Sequence, residues 1–371
     1  MDDVVAALRL NHRVSGIRLD ASDLETFVSQ MQHPFPVLTH LCIEPRVTIE
    51  NAISRSFLGG SAPCLQDLSL WDVPFPALPE LLLSATNLVR LCYGHIPRSG
   101  YISPQAMVTA LSVLTRLESL SLTFKSPHSF PDRAIRSAPP HTCTLLPALT
   151  HLSFRGVPEY MEDLVAHIDA RPLESMTITL FQWNVRELSQ LEKFVLRAGK
   201  LSLVDRAEVR FAWGGITVVL SPTLMSVDPK TLAFMFHCDA WGFRPPYLSY
   251  LARLCESCFP TSSLFECLRI DVLSSWQKST GDPDLPWMEL LRPFSSVKDL
   301  RLSKSVAHHV AHALKRVPAD RVMEVLPALE NIFISGPGPF GPGKEAISAF
   351  ADARQLSGHP VSIYDSEGDV Y

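Results

Sequence analysis

The chain has 371 residues, 46% of them hydrophobic, with 38 acidic against 33 basic side chains, a formal net charge of -5 and a pI near 6.2. Such a content builds an extensive core, and an acidic balance without a long basic stripe argues against a general nucleic-acid binder, which must neutralise phosphates. No apolar run reaches the roughly 18 residues that span a bilayer, and the opening MDDVVAALRLNHR is acidic first and has no long apolar centre, unlike a secretory leader. The expectation is a cytoplasmic or nuclear protein that binds neither nucleic acid nor membrane, with its eight cysteines reduced.

In chain order the first strand candidate is LTHLCI from Leu38, followed by a helical reading of ENAISRSFLG, Glu50 to Gly59. LQDLSL (Leu65 to Leu70) and LVRLCY from Leu88 are the next strands. SPQAMVTALSVLT, Ser103 to Thr115, predicts a helix with Ser103 as its cap and Pro104 in its first turn. LESLSL (Leu117 to Leu122) precedes a proline-rich stretch, Lys125 to Thr142, that reads as a surface loop. LTHLSF (Leu149 to Phe154), a helix over Glu159 to Asp169 and LESMTI from Leu173 complete this half.

From Leu201 to Cys267 the pattern blurs into VDRAEV from Val204, GITVVLS from Gly215 and KTLAFMFHCD from Lys230, with Gly214-Gly215 placed for a tight turn. Strands return at FECLRI from Phe265, VKDLRL from Val297 and LENIFI from Leu329. Helices are predicted over Val306 to Leu314 and, after a Gly/Pro-rich stretch, over Lys344 to Arg354.

The recurring phrase is Leu-x-x-Leu-x-Leu, with first positions at Leu38, Leu65, Leu88, Leu117, Leu149 and Leu173, in steps of 27, 23, 29, 32 and 24 residues. Within it residues alternate: Leu68 and Leu70 point one way while Asp67, Ser69 and Trp71 point the other. Strand followed by helix at this period predicts an α/β leucine-rich-repeat solenoid, a horseshoe with parallel strands on its concave face and helices outside, irregular in the middle. The expected organisation is residues 1–200 as N-terminal repeats, 201–267 as an irregular region and 268–371 as C-terminal repeats ending in a capping helix. A solenoid usually binds, so the polar side of the strands is the candidate protein-binding face, carried by His40, Asp67, Trp71, Arg90, His151, Arg155, Asp299 and Arg301.

Chemical motifs are weak by comparison. GPFGPGK, Gly338 to Lys344, has phosphate-loop spacing, but Glu345 stands where a metal-binding hydroxyl is needed and two prolines remove amide donors. Cys255 and Cys258, with Cys267, His237 and Cys238 near in sequence, offer thiolate and imidazole, yet sit at helical spacing where buried thiols are ordinary. His308, His309 and His312 share a helix, but the string HHVAH lacks the glutamate base of a metalloprotease. No cofactor, metal site or catalytic residue is assigned, and an enzyme, in its least generic form a metal-dependent hydrolase, is the rival reading.

Three strings, LPWMELLRPFSSVKDLRLSK (Leu285 to Lys304), VMEVLPALENIFISG (Val322 to Gly336) and ARQLSGHP (Ala353 to Pro360), resemble the leucine-rich region of fungal, mushroom-type F-box-like proteins. The resemblance implies the substrate-recognition half of a ubiquitin-ligase subunit, with a protein substrate or regulatory partner and an adaptor-cullin assembly behind it. The chain starts almost directly at VSGIRLD, Val14 to Asp20, without an evident F-box, so adaptor-binding residues are not carried over and a scaffold without ligase recruitment is the alternative.

Overall fold

The computed structural model describes residues 6–20, 24–47, 51–131, 143–181, 188–198, 205–212, 215–221, 232–237, 249, 252–253, 256, 265–272, 287–335 and 343–366. Two compact units divide the chain, Met1–Lys200 and Leu201–Tyr371.

In the first unit the alternating strings form seven parallel strands: β1 (Gly16–Leu19), β2 (His40–Ile43), β3 (Asp67–Trp71), β4 (Arg90–Ile96), β5 (Ser119–Phe124), β7 (His151–Gly156) and β9 (Ser175–Phe181). They pair in chain order, with His40 beside Asp67, Asp67 beside Arg90, Arg90 beside Ser119, Ser119 beside His151 and His151 beside Ser175. Because side chains alternate along a strand, that register stacks Leu41, Leu68, Leu91, Leu120, Leu152 and Met176 into one fully buried row. A second buried row holds Ile43, Leu70, Tyr93, Leu122, Phe154 and Ile178. The polar residues between them are left on the opposite face. Two very short strands, β6 (Thr144–Leu145) and β8 (Ile168–Asp169), make a separate parallel ladder.

Helices cover the buried face unevenly. They are α1 (Leu24–Gln30), α2 (Leu78–Leu82), α3 (Pro104–Leu111), α4 (Pro158–Ala166) and α5 (Ser189–Arg197). Ser103 caps α3, accepting the Ala106 amide at 3.3 Å, with Pro104 in the first turn. The α5 start is held from a neighbouring helix: the Glu162 carboxylate accepts the amides of Gln190 and Leu191 at 3.0 and 2.8 Å. The helix expected over Glu50 to Gly59 does not form among the described residues. Only a 3₁₀ turn, Phe57–Gly60, is present, and Leu58 and Gly59 within it have φ of 55° and 66°, which stops helix propagation. Part of the expected surface loop is core, since Phe130 is buried with its ring 4.3 Å from that of Phe124; residues 132–142 lie outside the described set.

The second unit is mixed. Strands β10 (Arg206–Ala212), β11 (Gly215–Ser221) and β12 (Leu232–His237) are antiparallel. Parallel strands β13 (Cys267–Val272), β14 (Asp299–Ser303), β15 (Asn331–Ser335) and β16 (Ser362–Ser366) extend the sheet from the other side of β10. Ala212 pairs with Gly215, so two residues join β10 to β11. A connection that short can only reverse the chain, whereas a parallel neighbour needs a long crossover. Helices α6 (Trp287–Leu291), α7 (Lys304–Lys315) and α8 (Gly343–Leu356) pack here, and α7 buries Val306, Ala307, Val310, Ala311 and Leu314 on one stripe.

His309 on α7 is half-buried, stacks on Trp287 at 6.3 Å and lies 3.7 Å from the His308 ring. Burial first, then the neighbouring His308 and His312, push its pKa down from the usual 6.5 to about 4. Between those values the unfolded chain takes up a proton that the folded chain refuses, so this contribution to stability is complete above pH 6.5 and is lost as pH falls to about 4. With the ring half exposed, the loss is on the order of 1 kcal/mol. Urea denaturation at neutral pH and near pH 4.5 should show it for the wild type and not for His309→Gln.

One leucine-rich-repeat horseshoe, parallel throughout its regular parts, is therefore not the architecture. Strand direction is mixed in the second unit, and the crossovers carry anything from the 14-residue helix α8 to a 3₁₀ turn. Unequal spacing of the leucine phrase is the physical reason: connections of different length and content cannot repeat one geometry.

Candidate functional site

The polar face of the first unit's sheet carries three rows of side chains. Along the strand starts run His40, Asp67, Arg90, Ser119, His151 and Ser175. Asp67 accepts from Arg90 at 2.7 Å, so the pair is internally neutralised, while His40 and His151 are exposed. Each imidazole is held through Nδ1 by the threonine preceding it: Thr39 Oγ1 and Thr150 Oγ1 each lie at 2.8 Å.

The middle row is small and uncharged, with Cys42, Ser69, Cys92, Ser121, Ser153 and Thr177 side by side. Burial pushes the Cys92 thiol up, against hydrogen bonds from Ser121 and Ser69 that lower it, and the thiol stays protonated at neutral pH.

Larger groups gather at the strand ends. The Trp71 indole crosses onto β4, where Gly94 leaves room: a Cβ there would sit 2.5 Å from Trp71 Cε3. Its Nε1 donates to Ser69 Oγ at 3.0 Å, and its ring meets His95 edge-on at 5.3 Å. A β-bulge supplies that histidine. Tyr93 pairs with Leu122 and Ile96 with Phe124, so Gly94 and His95 together oppose Thr123, and the His95 amide donates to Thr123 Oγ1 at 3.0 Å. Two non-glycine residues with left-handed backbone flank the indole, His95 at φ 51° and Asp72 at φ 54°. The Asp72 amide donates to Gly94 O at 2.9 Å and its carboxylate accepts from Lys125 at 2.8 Å, which holds both strained turns.

Arg155, half-buried on β7, lies 5.2 Å over the Phe181 ring. Its Nε is buried without a hydrogen-bond partner. A stacked guanidinium keeps a fixed plane and leaves its terminal donors for a ligand.

The structure thus gathers His40, Asp67, Arg90 and His151 into one row and sets Trp71 and Arg155 at the strand ends of the same face. Asp299 and Arg301 belong to the second unit. There Asp299 accepts from Asn331 at 2.9 Å, and Arg301 lies 4.8 Å over Phe333, whose ring stacks on Tyr364 at 4.9 Å. His95, Asp72, Thr39, Thr150 and Phe181 were not picked out from the sequence. The repeated string Leu-Thr-His-Leu was the available signal for the threonines; nothing local signals the bulge.

Cys255, Cys258, Cys238 and the loop Gly338 to Pro342 lie outside the described residues, as does the side chain of His237. Among the described residues no three His, Cys, Asp or Glu side chains come together as a metal-holding group. Among them, too, no helix is long and apolar enough to cross a membrane.

A scan against protein-family models matches none, and a search of curated proteins finds no significant relative. The expected kinship with fungal F-box-like repeat proteins is corrected accordingly: the mixed sheet of the second unit does not fit it and no family match supports it. The ubiquitin-ligase role, the protein substrate or regulatory partner and the adaptor-cullin assembly, all inferred from that kinship, fall with it.

Proposed function

We propose that this chain is a noncatalytic binding protein whose binding surface is the polar face of the first unit's sheet. Trp71, His95 and Arg155 form its anchors, and His40, Asp67, Arg90 and His151 form its border. The observation that supports the reading most is the prior ordering of Trp71: Gly94 makes room for it, Ser69 orients it and a bulge wedges His95 against it. Side chains already fixed lose little entropy on binding, so more of the contact energy appears as affinity. Aromatic and arginine side chains are also the residues that most often dominate binding surfaces. Asp67 is committed to Arg90 and Asp72 to Lys125, an arrangement that serves recognition better than proton transfer.

The immobilised full chain, screened by surface plasmon resonance against oligosaccharides, peptides and nucleotides with Trp71→Ala in parallel, tests this. We expect a ligand whose affinity falls about tenfold or more in the variant, since loss of an aromatic anchor costs roughly 2 kcal/mol. Ligands held equally well by wild type, Trp71→Ala and Arg155→Ala would sink the reading.

A further inference from the structure

The string Leu-Thr-His-Leu occurs at Leu38 to Leu41 and again at Leu149 to Leu152, and both copies make the same hydrogen-bond relay. Thr39 Oγ1 lies 2.9 Å from Ser15 O and 2.8 Å from His40 Nδ1. Thr150 Oγ1 lies 3.1 Å from Glu118 O and 2.8 Å from His151 Nδ1. A hydroxyl has one proton, and a carbonyl oxygen can only accept. The threonine proton is therefore spent on the carbonyl, and the imidazole must donate to the hydroxyl through Nδ1–H. A neutral imidazole has a single N–H, so in that form Nε2 of both rings is a bare acceptor. Both histidines are exposed, which leaves that acceptor to a ligand.

Resting on the binding reading above, we infer that the first unit's face takes a neutral, hydroxyl-rich ligand, an oligosaccharide laid across the strands with one sugar ring against Trp71. Sugar hydroxyls donate to Nε2 of His40 and His151 and exchange hydrogen bonds with Ser121, Ser153 and Thr177 in the row between. Three features select this chemistry. Along the border row the Asp67 and Arg90 charges cancel at 2.7 Å, so that ion pair offers no net charge to a ligand. With its N–H committed to Ser69, Gly94 beneath it and His95 against it, the half-buried Trp71 offers a ligand only the ring surface outside these contacts, suited to the C–H side of a pyranose. Finally, His40 and His151 stand four strand spacings apart, about 19 Å, more than one sugar spans, so the ligand is a chain.

The test uses the full-length protein. Long-range ¹H–¹⁵N spectra near pH 8, above the imidazole pKa, should show His40 and His151 as Nδ1–H tautomers, assigned with His40→Gln and His151→Gln. Each should lose that preference in Thr39→Val or Thr150→Val and keep it in the serine variants. An array of neutral, sialylated and sulfated oligosaccharides with acidic peptides as controls should then capture the wild type on neutral chains. Binding should vanish in Trp71→Ala, weaken about threefold to tenfold in Thr39→Val/Thr150→Val and return with serine at both positions. Nε2–H tautomers in the spectra overturn the inference. Capture by anionic glycans or acidic peptides alone, abolished in Trp71→Ala, also overturns it while leaving the binding face standing. An array on which nothing depends on Trp71 removes both.

Discussion

Phe124→Ala should destabilise the first unit by about 3–5 kcal/mol, the usual cost of deleting a fully buried aromatic ring. Phe124 is 1% exposed and is the hub of a ring cluster: Phe130 at 4.3 Å, Tyr160 at 4.9 Å, Phe154 at 6.2 Å and Tyr101 at 6.4 Å. These rings come from two strands, the start of α4 and two connections, so the cluster ties five segments together on the buried face. The site beneath cannot collapse cheaply, because Gly156 lies under it with no side chain to move in. A Cβ added there would meet Phe154 at 2.6 Å and Phe124 at 3.0 Å. Phe124→Leu should lose much less, and the difference, read in urea unfolding followed by circular dichroism, measures the cavity. Equal losses for leucine and alanine would mean that the hydrophobic volume matters little there.

Tyr93→Phe should cost about 1–3 kcal/mol although it removes one oxygen and leaves the ring in place. The Tyr93 hydroxyl accepts the Phe75 amide at 3.0 Å and shares its proton between the carbonyls of Val73 and Gly100, each at 3.1 Å. All four groups are buried, and the loss of solvent pushes the phenol pKa up. Phenylalanine would strand one amide and two carbonyls away from water, which is why the cost exceeds that of an ordinary hydrogen bond. Gly100 is part of the clasp: a Cβ there would come within 2.4 Å of the hydroxyl. Denaturation gives the size of the effect, and faster amide exchange at Phe75 would locate it. A variant as stable as wild type, with Phe75 still protected, would show that water takes the vacated place.

The clasp marks where sequence reading stops. In LVRLCY the alternation already aims Tyr93 inward with Leu91, as it aims Leu68 and Leu70, since strand periodicity is a local property. What its hydroxyl does there depends on residues up to 20 positions away, brought together only by the register between β3 and β4. The outward set behaves in the same way. His40, Asp67 and Arg90 were legible as exposed polar positions, but their adjacency is a consequence of pairing. The tautomer of His40 depends on the Ser15 carbonyl, 24 residues before Thr39.

His95 illustrates the harder case. Strict alternation carried one residue beyond Tyr93 says nothing about a bulge, and a bulge is what brings the imidazole to Trp71. The propensity reading of Glu50 to Gly59 as helix failed because the left-handed backbone at Leu58 and Gly59 ends the turn. The whole-chain expectation failed for a related reason. A phrase that specifies a strand does not specify what joins it to the next strand. The two-residue link between Ala212 and Gly215 reverses direction and makes the strand pairing of the second unit mixed.

The most direct measurement is hydroxyl-radical footprinting of the full chain with and without the tightest ligand from the binding screen, read by mass spectrometry. The reading predicts protection concentrated at Trp71, His95, His40 and His151, while oxidation of exposed second-unit residues such as Tyr364 is unchanged. Protection that falls on Tyr364 and Phe333 and spares Trp71 would place recognition in the other unit and contradict the account.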